Sequence, residues 1–386
     1  KTQFATRLDI IKDVLFVNGN FSYNFDKNRN RWHYLPVAYY EGPEMAPKYF
    51  NETTSAYSQS NETTRLTFDA YATFNKTFNE KHAITVIAGF NQEEYRYENT
   101  QLGRKDLIST SLPTLGLATG DMSVSESITT WALRGGYARF NYTFDDKYIA
   151  EFNGRYDGTS RFPKDSRFVF NPSGSVAWVV SREKFFKPFE NIFSFFKLRY
   201  SYGVLGNQDV GAYEYIATMG SGKTSQIIDG EQPVYVNAPG LVSGGLTWEK
   251  VSTSNLGVEM NFLNNRLTFN GDYYVRRTKD MLTTGEPLPN VLGTPVPKEN
   301  TADLKTEGWE ITLGWKDRFK LGGKPFDYQL GFNLADSRAY ITKFKNTTGI
   351  LSSNYEGKEI GEIWGYTTLG FFTSQEAIDN HADQSK

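Results

Sequence analysis

The stretch Ala217–Ser225, ATMGSGKTS, carries the Gly-Lys-Thr that closes a phosphate-binding loop, with Ala217 where that motif has its first Gly. Such a loop works by wrapping backbone N–H groups and a helix terminus around a phosphate, so a strand must precede it and a helix must follow. Here Gly230, Pro233, Pro239 and Gly240 follow, and they break any helix within a few turns. Lys223 is therefore expected in a polar loop, indifferent to nucleotide. His33, His82 and His381 are far apart and lack the spacing of a zinc site. The carboxylate pairs Glu93-Glu94 and Asp145-Asp146 are adjacent, and neighbours on a strand point to opposite faces, so neither pair can act on one bond. With no Cys, thiol catalysis, disulfides and zinc-thiolate sites are excluded. Neither an enzymatic activity nor a catalytic cofactor is expected.

The 42 basic and 44 acidic residues are interspersed, and no basic run could track a phosphate backbone, which excludes nucleic acid as a partner. Aromatic residues make up 16% of the chain, yet mean hydropathy is −0.53. Aromatic-rich and polar overall implies strands with one greasy and one wet face. No stretch approaches the length of an apolar membrane-spanning helix.

Period-two alternation recurs from end to end and yields about twelve strands in six hairpins. From Leu267 the apolar set Leu267, Phe269, Gly271, Tyr273 and Val275 opposes Thr268, Asn270, Asp272, Tyr274 and Arg276. Leu256, Val258, Met260 and Phe262 oppose Asn255, Gly257, Glu259 and Asn261 in the same way. Alternation alone does not separate a soluble sandwich from a membrane barrel. Three other features favour the barrel: strands of about 12 to 16 residues, enough to cross a bilayer obliquely; connections that alternate strictly between short and long; and aromatics at the short turns. Tight turns are expected at Lys12-Asp13, Asn79 to His82, Asp145 to Lys147 and Leu263 to Arg266. Long polar loops are expected over Asp26 to Glu62, Arg96 to Ser127, Asn207 to Gly245 and Thr283 to Asp303. Phe78, Phe144, Tyr148, Phe262, Trp315 and Phe326 would form an interfacial girdle. An Arg or Lys on the lipid face costs about 2–4 kcal/mol at the midplane, so the polar rows must line a wet lumen.

Five motifs then stand in order: RYDGTSRF from Arg155, YSYGVLGNQ from Tyr200, LTWEKVSTSNLGVE from Leu246, NTADLKTEGWEITLGW from Asn300 and IGEIWGYTTLGFF from Ile360. In these the chain resembles the SusC/RagA-type TonB-dependent transporters, departing from their pattern at Thr159 and Thr306. The resemblance implies an all-β fold: a transmembrane antiparallel barrel of about 22 strands in the bacterial outer membrane, of which about twelve are in this chain. It also implies an amino-terminal plug, a SusD-like lipoprotein lid, energy from the TonB complex, and a glycan or peptide cargo. The opening KTQFATRLDI already alternates like a strand in progress. The expectation is therefore one partial barrel domain over residues 1–386, with the plug, the TonB-contacting segment and the closing strands outside it.

Within the motifs, Asp157 and Arg161 are either a paired turn or a cargo contact. Asn207 and Gln208 offer amides that bond sugar hydroxyls or peptide groups equally well. Trp364 and Tyr366 either stack on cargo or pack against the lid or barrel mouth. An extracellular β-rich binding or adhesion protein is the alternative. It accounts for the aromatics and loops but not for the loop asymmetry or the ordered motifs.

Overall fold

Period-two alternation becomes strand along most of the chain. A computed structural model describes residues 1–382 apart from Glu286, Pro287, Asn290, Leu292, Thr348 and Ser352. Its strands are β1 (Thr2–Ile11), β2 (Leu15–Tyr34), β3 (Val37–Tyr39), β4 (Lys48–Phe50), β5 (Ser55–Phe78), β6 (His82–Lys105), β7 (Met122–Phe144) and β8 (Tyr148–Thr159). They continue with β9 (Phe168–Val179), β10 (Phe193–Asn207), β11 (Ser221–Lys223), β12 (Val234–Val236), β13 (Glu249–Phe262), β14 (Leu267–Thr284), β15 (Lys298–Leu321) and β16 (Lys324–Lys343). Twelve of them form one antiparallel meander in the order β1-β2-β5-β6-β7-β8-β9-β10-β13-β14-β15-β16, and β3–β4 and β11–β12 are small hairpins within loops. The sheet does not close on itself, since β1 and β16 each have one free edge. Backbone bonds from the Gly357–Ile360 stretch reach the β16 edge at Ala339 and Ile341.

Register places the apolar rows together. Phe269 sits opposite Met260 on one side and Leu313 on the other, and Tyr273 opposite Leu256 and Trp309. The polar rows share the other face, where Asp272 lies between Gly257 and Glu310. The apolar stripe runs from Phe74 to Leu66 on β5 and from Leu267 to Val275 on β14, close to the roughly 9–11 residues of a tilted transmembrane strand.

The strands run well beyond that belt. β5, β6 and β15 are each 24 residues long, about 80 Å of strand and about 55 Å of height at a 45° tilt. The hydrocarbon layer takes about 30 Å of this. This corrects three expected loops and the expected strand length; in the Thr283 to Asp303 loop, Thr283 pairs with Glu299 and Thr284 with Lys298. Asp26 pairs with Thr63, Lys27 with Glu62 and Arg96 with Thr130, so only residues 35–54 and 106–121 connect these strands. Above the bilayer both faces meet water, so the alternation that marks a strand disappears while the backbone ladder continues.

The short turns follow their backbone chemistry. Asn79 and Glu80 have φ of 49° and 58°, Asp145 and Asp146 51° and 53°, and Gly322 and Gly323 58° and 81°. Paired positive φ values match the right-handed twist of the flanking strands, the condition of the tightest hairpins. Aromatic rings gather at this rim. Phe144 lies 6.3 Å from Tyr148, Phe193 4.8 Å from Phe262 and Phe319 5.1 Å from Phe326, and Trp315 Nε1 donates to Tyr328 Oη at 2.9 Å. The alternation of short and long connections is not strict, however. Residues 180–192 form a longer connection on the short-turn side, with 3-10 turns at Val180–Arg182 and Lys184–Phe189. On the opposite side only residues 160–167 join β8 to β9.

Candidate functional site

The motifs converge at the loop-side end of β8, β10, β13 and β14. Phe162, Val210, Leu246 and Trp248 form a buried cluster, with Val169, Tyr215 and Leu282 packed on it. Phe162 and Trp248 are stacked obliquely with centroids 5.3 Å apart, and Trp248 Nε1 donates to the Arg167 carbonyl at 3.2 Å. Asn300 ties a further strand to this point: its Nδ2 donates to the carbonyls of Thr247 at 3.0 Å and Asp280 at 2.6 Å, and its Oδ1 accepts from Thr247 N at 3.0 Å. Four of the five motifs thus knot the root of the 208–248 connection to the barrel wall. Sequence reasoning passed over Phe162, Leu246 and Trp248. The available signal was three large apolar residues in a stretch otherwise read as rim and loop.

Asp157 faces the polar wall from β8. It pairs with Arg155 at 2.6 Å and accepts from Asn171 Nδ2 at 3.1 Å. Gly135 lies opposite, and a Cβ there would sit 2.2 Å from Asp157 Oδ1, so a larger residue would displace the carboxylate from its present position. The Asp157–Arg161 pairing considered from the sequence is not formed. Residues 155 and 157 share a face of β8, whereas Arg161 lies past its end and turns to the knot. There Arg161 Nη1 donates to the Val210 carbonyl at 3.0 Å, and the guanidinium lies 4.9 Å from the Trp131 ring centroid. Asn207 closes β10: its Nδ2 donates to Glu249 Oε2 at 2.7 Å and its Oδ1 accepts from Asp209 N at 3.2 Å. The Gln208 side-chain oxygen is buried and has no hydrogen-bond partner among the described residues.

Trp364 and Tyr366 lie apart from the other four, in an extended stretch after β16, and both rings are exposed. Trp364 Nε1 donates to Glu362 Oε1, which also accepts from Tyr355 Oη at 2.8 Å. These two donors, Tyr355 first, hold the Glu362 carboxyl below its ordinary range. The same bond pushes the Tyr355 hydroxyl up.

Lower on the wall, Arg199 of β10 bridges two further strands. Its Nε donates to Glu259 at 3.1 Å and its Nη2 to Asp272 at 2.7 Å, while Lys197 reaches Glu259 at 3.3 Å. Gly257 makes room, since a Cβ there would stand 2.5 Å from Arg199 Cζ. Tyr137 Oη donates to Asp69 Oδ1 at 2.9 Å. Beside Tyr137 a cleft of about 650 Å³ opens, lined also by Tyr71, Arg139, Asn153, Arg155 and Asp157. This surface offers many exchangeable hydrogen bonds. Among the described residues no three His, Asp or Glu side chains are grouped to hold a metal ion. Lys223 lies in β11, paired with Val234 of β12, and the next element is that strand and not a helix, so the phosphate-loop context is absent.

The sequence pattern of the family described as TonB dependent receptor-like, beta-barrel matches residues 3–375. The chain is 30% identical over 313 residues to TonB-dependent receptor P39 of Formosa agariphila, covering 79% of this chain and 29% of that protein. It is 30% identical over 260 residues to TonB-dependent receptor SusC of Bacteroides thetaiotaomicron, covering 64% of this chain and 25% of that one. The chain therefore spans less than a third of the length of these two relatives. The structure of the RagAB peptide transporter superposes with a TM-score of 0.76 at 23% identity, over 90% of this chain and 37% of that one, a likeness of fold.

Proposed function

We propose an activity from an established premise: this chain belongs to the TonB-dependent receptor-like β-barrel family, of the SusC and RagA type, and its place is the bacterial outer membrane. The whole protein is an active importer, energised by TonB, that moves oligosaccharides or peptides too large for passive pores. A SusD-like surface lipoprotein closes over its mouth. Residues 1–386 form one unit of a larger barrel whose remaining strands pair the free edges of β1 and β16.

The observation that carries this reading is the division of the two faces. A continuous apolar belt backs a wall lined with amides, hydroxyls and paired charges, and such a wall gives a polar solute replaceable partners at each step. Exposed aromatics at the loop side suit a covering partner, because aromatic residues are enriched in the cores of interfaces. In this reading Trp364 and Tyr366 meet lid or cargo directly. Asp157, Arg161, Asn207 and Gln208 shape the cargo entrance from below.

Affinity purification of the full-length protein from native membranes tests it, together with uptake by cells whose Asn207–Gly245 loop is shortened. A co-purifying lipoprotein and lost uptake are expected. A barrel that always emerges alone, with uptake intact after the deletion, would remove the lid from this reading.

A further inference from the structure

The outward face above the apolar belt carries charge in two different ways. On β2 to β7 three outward cations near that height have a charged or aromatic partner: Lys27 pairs with Glu62, Arg96 with Glu98, and Arg134 lies over the Phe168 ring at 5.6 Å, while Arg29 reaches only the Ser58 hydroxyl at 3.3 Å. On β13 to β15 cations face cations. Register sets Lys250 opposite Lys279 and Arg277 opposite Lys305, on the face that carries Phe269, Tyr273 and Val275 lower down. Like charges directly opposite on a sheet destabilise it. Lys305 has Glu307 at 2.5 Å, with Arg338 across from Glu307 and Asp336 across from Trp309. Lys250, Arg277 and Lys279 are exposed and form no ion pair among the described residues.

Height identifies the partner. Arg277 stands four residues beyond Tyr273, whose cross-strand neighbour Trp309 marks the aromatic upper edge of the belt. Four residues are about 13 Å of strand and about 9 Å of height at a 45° tilt, which is the polar headgroup layer. An anion held there must be part of the membrane. We infer that Lys250, Arg277, Lys279 and Lys305 form a binding site on the barrel exterior for the phosphate groups of an outer-leaflet phosphorylated glycolipid. Lipid phosphate relieves two like-charge pairs, in which Lys305 alone has a counter-charge among the described residues of the protein. Continuity with the lipid-facing belt means the headgroup arrives with its acyl chains already against Tyr273, Val275 and Trp309. The inference rests on the outer-membrane placement and not on the cargo or the lid.

The test is thermal unfolding of the detergent-solubilised full-length protein with three probes: a diphosphorylated lipid A, the same lipid after enzymatic dephosphorylation, and inorganic phosphate. The phosphorylated lipid should raise the wild-type Tm by several degrees, and the other two should leave it unchanged. The quadruple variant Lys250→Gln, Arg277→Gln, Lys279→Gln, Lys305→Gln should lose the shift. Without lipid it should melt at or above the wild type, because it sheds repulsion. Lys27→Gln, in the paired sector, should keep the full shift. Should the quadruple variant fail to fold, Arg277→Gln with Lys279→Gln alone should at least halve the shift. An equal shift with dephosphorylated lipid or with inorganic phosphate overturns the assignment, as does a shift that survives the substitutions. Membrane fractionation of the wild type is read separately, so failure of the outer-membrane placement would show there.

Discussion

The 208–248 connection uses apolar side chains in opposite ways at its root and in its arm. At the root Val210, Leu246 and Trp248 are 3%, 2% and 4% exposed, locked against Phe162 and tied through Arg161 and Asn300. Tyr213 extends the anchorage, bonding Thr130 of β7 through its hydroxyl at 2.6 Å. In the arm, beyond the root, Met219 is 62% exposed and Ile227 and Val234 are each 70% exposed around the β11–β12 hairpin. A stretch that buries its apolar groups contributes to its own folding, whereas one that exposes them contributes to something it meets. Motif residues at the root therefore serve the fold, and under the proposed function recognition would fall to the arm and to the stretch bearing Trp364 and Tyr366.

The largest effect that would separate the two regions is at the root. Trp248→Ala should cost about 3–5 kcal/mol, as large-to-small changes of buried aromatics do. Limited proteolysis should show the whole 208–248 connection becoming cleavable, and unchanged cleavage would mean that the root is not an anchor.

Below the root, Gly257→Ala should push the guanidinium of Arg199 away from Glu259 and Asp272 and cost about 1–3 kcal/mol, the range for leaving a charged hydrogen-bonding group unsatisfied. Thermal unfolding in detergent measures it, with Ser201→Ala on the same strand as the control. Equal stabilities would show the wall network to be slack.

Ile227→Asp with Val234→Asp in the arm should change stability by less than about 0.5 kcal/mol, as surface substitutions do. The same pair should abolish co-purification of a lipoprotein partner. Lowered stability with retained partner would reverse the comparison.

A pH titration sharpens the contrast on a smaller scale. The Trp364 indole donates to a carboxylate, and the Trp248 indole to a backbone carbonyl. Because the folded Glu362 value is depressed below its ordinary 4.5, the contact is at full strength above that pH and is lost as pH falls through the lower folded value. Trp364 emission should therefore step in acid, Glu362→Gln should remove the step, and Trp248 should show none. Smallest of all, Lys223→Ala in the arm should leave nucleotide protection and uptake at wild-type levels, since a strand and not a helix is the next element after the loop.

Much of the fold was legible because the bilayer imposes it. Leu267, Phe269, Tyr273 and Val275 alternate with Asn270, Asp272 and Arg276 for as long as one face meets lipid, and the register places them as the pattern requires. The tight turns were equally visible, since Asn79, Asp145 and the pair Asn264-Asn265 are residue types that tolerate positive φ. The upper half of the barrel was not. Residues such as Gln59, Ser60, Asn61 and Glu62 show no apolar stripe because both their faces are wet, and they read as loop although they are paired on both sides.

Sequence alone determined the antiparallel meander, the outward greasy face, the family motifs and the absence of a phosphate-loop context around Lys223, because each depends on neighbours within a few residues. Tertiary structure alone decided that Arg161 serves Val210 and Trp131 rather than Asp157, that Phe162 meets Trp248, and that Lys250 faces Lys279. Each of these pairs is joined across strands or across a long connection. Which residues meet across such a span is set by strand register and by the curl of the sheet, and no local pattern of residue types records either.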